Sequence, residues 1–189
     1  MKLLATGVLL WSAVHLLPGV ANQLKLNLVA RMGRSSYRGL FSLLIVLSLV
    51  LIVIGWRGMA PALLYSTPES LRMLTAVLML VALMLFVSAR LPTDIKRVIR
   101  HPQLTGVILW AIAHLLSNGD SRSLLLFGGI GLWALAEILV VNHRDGAWIK
   151  PQAVRTKRSL IPVVIGVAAW LVLAVVHPWI SGVSVIPGH

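Results

Sequence analysis

The chain contains no cysteine and, among its 189 residues, only five acidic side chains. Without thiols there are no disulfides, no thiolate metal sites and no cysteine nucleophile, so any metal must rely on imidazole, carboxylate, thioether or the ring of a cofactor. Polar linkers are also missing, which leaves a single domain over residues 1–189. What fills the chain is hydrocarbon. An apolar fraction of 58% and a mean hydropathy of +0.92 exclude the soluble class and predict an all-α integral membrane protein.

About 20 apolar residues cross a bilayer, and six stretches qualify, near 3–22, 39–56, 73–91, 102–118, 123–142 and 160–180. The first opens Met1-Lys2 but lacks a small-residue cleavage site before a polar mature domain, so it is read as a retained span. The net charge of +12 is distributed unevenly. Lys25, Arg31, Arg34 and Arg38 follow span one; Arg90, Lys96, Arg97 and Arg100 follow span three; Arg144, Lys150, Arg155, Lys157 and Arg158 follow span five. The other side has Lys2, Arg57, Arg72 and Arg122, and the tail after Trp179 has no charged side chain. By the positive-inside rule this bias places both termini outside the cytoplasm, which in a bacterium with two membranes is the periplasm. Insertion alone accounts for the basic loops, so they do not point to nucleic acid. Segment 23–38 sets Leu24, Leu26, Leu28, Val29 and Met32 among cations, which suits either a helix in the headgroup layer or a solvated basic loop. Trp56, Trp148 and Trp179 fall at span ends, where an aromatic belt is expected.

Two histidines stand in matched surroundings. Leu10-Trp11-Ser12-Ala13-Val14-His15-Leu16-Leu17 in span one is echoed by Leu109-Trp110-Ala111-Ile112-Ala113-His114-Leu115-Leu116 in span four. Protonatable rings deep in a membrane are costly, so this pair is the first candidate for metal ligation or proton handling. The echo lies on antiparallel spans and hints at an inverted repeat of three helices plus three. Two neutral imidazoles from facing helices are what a b-type haem needs. His101 cannot share an iron with His114, because thirteen helical residues separate them by about 20 Å and roughly 220°. An axial offset of about 9 Å between His15 and His114 requires tilted helices or an inclined cofactor. His177 is the rival partner for His114. Gly106 and the Gly128-Gly129-Ile130-Gly131 run could let helices approach closely enough to form a slot.

Glu137 is the acid well inside a span, where it would need a partner or a proton. Asn142-His143-Arg144-Asp145 ends span five beside the Arg100-His101 mouth if the two helices are neighbours. That cluster could hold a propionate, a phosphate or lipid headgroups. Asn118-Gly119-Asp120 reads as a helix stop and a tight turn.

The run Arg100-His101-Pro102-Gln103, followed by Trp110-Ala111-Ile112-Ala113-His114-Leu115-Leu116 and Asn118-Gly119-Asp120, with Trp11 and His15 in span one, resembles the NnrU family of bacterial membrane proteins. The likeness covers nearly the whole chain. It implies a role in denitrification, in the expression or activity of nitrite and nitric oxide reductases, with respiratory reductase components as partners. The same pattern resembles the ζ-carotene isomerase of plants and cyanobacteria, which holds haem b between histidines. That resemblance implies haem b on His15 and His114, with His101, His143 and Arg100 near the cofactor. It also raises the alternative of haem-dependent cis–trans isomerisation of an apolar small molecule. Another alternative is a transporter or assembly factor in which the histidines are structural. Arg100-His101-Pro102-Gln103-Leu104-Thr105-Gly106 is similar as well to a signature of membrane methyltransferases, but Leu104 replaces its aromatic residue and no cytoplasmic acidic motif follows.

Overall fold

The computed structural model describes residues 1–181, so the end of the uncharged tail, 182–189, lies outside the described residues. Seven longer helices form: α1 (Lys2–Val20), α2 (Asn22–Met32), α3 (Arg34–Arg57), α4 (Arg72–Arg90), α5 (Pro102–Ser117), α6 (Ser121–Asp145) and α7 (Ile161–Ser181). Among the described residues the extended pairing is limited to one antiparallel bridge, Leu63 with Asp120. The chain is therefore all-α, as its composition predicts.

Local chemistry sets the boundaries. Gly33, at φ +84°, separates α2 from α3, and Gly146, at φ +64°, ends α6; a side chain would be strained at either angle. Pro102 opens α5 at a position where its missing N–H costs nothing. Segment 23–38 is helical on both sides of Gly33, with no residue of α2 buried. Five helical segments are long and apolar enough to cross a membrane. The fourth predicted span, α5, has 16 residues and rises about 24 Å, short of a full hydrocarbon thickness.

The extensive interfaces arrange the six apolar helices in a row, α3–α1–α6–α5–α4–α7. Small residues sit at each junction. A side-chain carbon at Gly55 would meet the backbone of Leu4, one at Gly7 would lie 2.8 Å from Ile52, and one at Gly129 would lie 2.6 Å from Val8. Gly131 faces Ala111, Gly106 faces the Ala82 carbonyl, and Gly166 faces Met84. Hydrocarbon lipid gives apolar helices no reason to leave it, so close backbone approach and dispersion must hold such a row together. The end helices α3 and α7 keep exposed stripes, including Val50, Val53 and Ile54 on one and Val164, Leu171 and Val172 on the other, as lipid-facing helices do.

The row repeats only in part. In a three-plus-three inverted repeat, the α1–α6 interface would be matched by α5–α3, and α5–α4 by α1–α7. Neither counterpart is among the extensive interfaces of the described residues. The α1–α3 interface does have its counterpart, α5–α6, so the packing carries the echo around the histidines only in part.

Two glycines of α3 test this reading of the junctions. Gly55→Ala forces α1 away from α3 and should cost about 1–3 kcal/mol. Gly39→Ala, where a side chain meets nothing within 4 Å, should be neutral or gain about 0.5–1 kcal/mol. Thermal denaturation in detergent separates the two; equal effects would show that the α1–α3 contact is not close.

Candidate functional site

Helix α6 packs against both histidine-bearing helices, α1 and α5. The two imidazoles are held in the same local way. Nδ1–H of His15 donates to the Trp11 carbonyl at 2.9 Å, and Nδ1–H of His114 donates to the Trp110 carbonyl at 2.8 Å. A carbonyl only accepts, so in each neutral ring the lone pair belongs to Nε2, the atom free to ligate a metal or take a proton.

The surroundings of the two rings differ. His15 lies among Trp11, Trp133 and Phe41, with ring centroids 4.3, 4.9 and 5.7 Å away. His114 stacks on Phe127 at 4.3 Å and meets Trp110 at 5.0 Å. Phe127 lies in a five-residue π-helical turn of α6, Leu124–Gly128. Trp133 and Phe127 are six residues apart, an axial rise of about 9 Å. The imidazoles therefore meet α6 at two levels, separated by the offset expected from their positions in the spans. His177 interacts electrostatically with His114.

A cavity of about 820 Å³ lies between α1, α4, α5 and α6. Its wall includes Trp11, His15, Trp110, Ile130, Trp133 and Glu137, and its mouth is formed by Lys96, Arg100, His101, Gln103, Trp148 and Pro151. His15, His101 and Arg100 are thus brought to one space. His114 is not among the lining residues, whereas its ring neighbour Trp110 is. His143 is exposed and also outside the wall.

The neighbourhood proposed for the mouth does form. His101 Nε2–H donates to Asn142 Oδ1 at 2.9 Å, and Arg100 donates to the Gly146 carbonyl at 2.9 Å. Arg144 pairs instead with Asp145 at 2.7 Å. Deeper in the cavity wall, the indole nitrogen of Trp11 is buried without a hydrogen-bond partner, and the Glu137 carboxyl faces the Trp133 indole one turn back on α6.

These residues belong to a sequence pattern that the comparisons recognise. The family model described as NnrU protein matches residues 3–185. The chain belongs to the NnrU family. No curated relative and no solved structure matches it.

The segment most characteristic of the NnrU resemblance is divided between two ends of the bundle. Arg100 and His101 stand at the basic mouth, whereas Asn118-Gly119-Asp120 forms the opposite turn. Asn118 donates to the His114 carbonyl through both its backbone and its side-chain amide. Asp120 then caps α6, accepting from the Arg122 and Ser123 amides at 3.0 Å and from the Ser123 hydroxyl at 2.6 Å. The loop between α3 and α4 closes over this turn: Leu64 and Tyr65 amides donate to the Gly119 carbonyl, and the Tyr65 hydroxyl donates to Leu115. Gly119 is required there because a side chain would collide with the Tyr65 carbonyl.

Other cavity residues are less legible in sequence. Trp148, expected in an aromatic belt, lines the mouth. Trp56 turns inward, under the Arg122 guanidinium at 4.5 Å and against Phe127 at 6.1 Å. Trp179 is 79% exposed, as a belt residue is. Trp133 and Lys96 carried no signal beyond residue type, because hydropathy does not report which face of a helix meets a cavity.

Asp120 gives a pH test. Burial opposes its charge, but the Ser123 and Arg122 hydrogen bonds and the Arg122 charge hold its carboxyl below the usual range. The stabilisation is therefore present above the unfolded-state value, about 3.9, and is lost as pH falls through the lower folded-state value. Asp120→Ala should lower stability by about 1–2 kcal/mol at neutral pH. The gap between variant and parent should close below that folded value; a gap independent of pH would refute the cap.

Proposed function

We propose that this NnrU family member is a six-span protein of the bacterial inner membrane that holds haem b in the cavity between α1, α4, α5 and α6 and supports the expression or activity of nitrite and nitric oxide reductases. The observation that carries the reading is His15, whose unprotonated Nε2 belongs to a half-buried ring in the wall of an aromatic cavity with a cationic mouth. A flat apolar macrocycle with two carboxylates matches this donor set: imidazole for the iron, indole and leucine walls for the ring, Lys96 and Arg100 for the carboxylates. The cavity volume lies within the range of cofactor sites.

The chain's own residues perform definite tasks in this reading. The Trp11 carbonyl orients His15 and fixes its tautomer, as the outer partners of metal-bound histidines do. Asn142 holds His101 at the mouth, and Gly146 holds Arg100 there. The aromatic walls set the polarity around whatever is bound. Haem b would supply one-electron chemistry for exchange with reductase components.

Six spans with both termini on the non-cytoplasmic side suit the loop contacts as well as the charge bias. The loop before α4 bonds to the α5–α6 turn, while the loop after α4 bonds to the one after α6, through Val154 to Asp94 and Asp94 to Ser159. Loops assigned to one side of the membrane thus touch one another.

Protein purified in detergent from haem-replete cells should show a Soret band that moves on reduction and is lost in His15→Ala. A colourless, folded protein contradicts the cofactor. The native absence of cysteine makes topology directly testable: a membrane-impermeant maleimide should label Ser66→Cys in intact spheroplasts and Ser36→Cys only after lysis. The reverse pattern would invert the proposed orientation.

A further inference from the structure

We infer that α2 lies flat in the headgroup layer at the end of the bundle that carries the cavity mouth, and that with the first turns of α3 it holds anionic phospholipid. The surface shares no residue with the cavity, and the haem reading is not needed for it.

Its placement follows from register. Gly55 of α3 meets Leu4 of α1, Gly7 meets Ile52, and further along the pair the rings of His15 and Phe41 are 5.7 Å apart. Five residues beyond His15, α1 ends at Val20; five before Phe41, Ser36 lies in the first turn of α3. The end of α1 and the start of α3 are therefore at nearly the same depth. α2 joins them through single non-helical residues, Ala21 and Gly33, and its 11 residues are about 16 Å long. A rod whose two ends share one level lies across the bundle axis, in the plane of the membrane surface.

The faces of α2 divide to match. Lys25, Leu28 and Val29 are half-buried on the side turned toward α1 and α3. Gln23 and Asn27 lie on the opposite side, exposed, with Gln23 Nε2 donating to Asn27 Oδ1 at 3.2 Å. Leu24 and Leu26 project between these sides, both exposed. Such a helix fits the boundary between acyl chains and headgroups, with its amides in water.

Charge identifies what the helix meets there. No acidic residue precedes Glu69 in the chain. Among the described residues Glu69, Asp94, Asp120 and Asp145 pair with arginines close to them in sequence, and Glu137 is in the cavity wall, so no carboxylate pairs with Lys25, Arg31, Arg34 or Arg38. Insertion explains which side of the membrane these cations occupy, but not their place beside exposed leucines on a flat helix. An acidic protein would match the cations and leave the leucines unserved. Phosphodiester headgroups over hydrocarbon match both.

The full chain is reconstituted into nanodiscs of phosphatidylcholine, alone or mixed equally with phosphatidylglycerol. Thermal denaturation should come several degrees higher with phosphatidylglycerol, and the gain should shrink at about 1 M salt, where charges are screened beyond about 3 Å. Arg31→Gln combined with Arg34→Gln should lose most of the gain. Arg155→Gln combined with Lys157→Gln, which removes as much charge from the same end, should keep it. Nitroxide labels on Leu24→Cys and Asn27→Cys, in a chain with no other cysteine, should relax preferentially with lipid-soluble oxygen and with a water-soluble nickel chelate, respectively. No gain in the parent, or equal losses in the two double variants, overturns the phospholipid assignment. So does inorganic phosphate, if it reproduces the gain in phosphatidylcholine discs. Labels that meet the chelate equally overturn the flat placement, whatever the denaturation curves show. None of these readouts requires haem.

Discussion

The position of helix α6 is the constraint on which the site depends. It lies between the two histidine-bearing helices and is let in against both by missing side chains, Gly129 beneath Val8 of α1 and Gly131 beneath Ala111 of α5. With the helices this close, Trp133 of α6 reaches His15 and Phe127 reaches His114. Larger residues at the two glycines would separate these contacts and open the wall of the cavity. The membrane context sharpens the point, since apolar helices in lipid gain little from burial and depend on close fit.

The second organising demand is that polar groups be satisfied within the protein, because hydrocarbon offers them no water. Most are satisfied locally. Both imidazoles return a proton to the carbonyl one turn back, and Ser48 and Ser88, fully buried, do the same with their hydroxyls. Against that background the indole nitrogen of Trp11, buried without a partner in the cavity wall, stands out beside the Trp133 indole and Glu137 carboxyl that face each other there.

Much of the architecture could be read from hydropathy. The six predicted stretches coincide with six apolar helices, and the differences lie at their ends: α3 begins at Arg34 because polar residues near the headgroups remain helical although they lower the hydropathy. Pro102 and Asn118 bounded α5 within a residue of the expectation. The site was less legible. Spacing along a helix gives depth, and the 9 Å stagger of the imidazoles was accessible that way. It does not reveal which neighbours fill the space between them. The π-helical turn that carries Phe127 to His114 has no hydropathy signature, and neither does the loop that folds over Gly119. Trp148 looked like a belt residue because a span end and a cavity mouth have the same composition.

The account's central claim is that the cavity beside His15 is a built cofactor chamber. Solvent extraction of the purified, folded protein, with haem b quantified by mass spectrometry against chain concentration, tests this most directly. The account requires equimolar haem b in the parent and its loss in His15→Ala. A parent chain that unfolds cooperatively on heating, yet yields no haem from cells with ample supply, would contradict it.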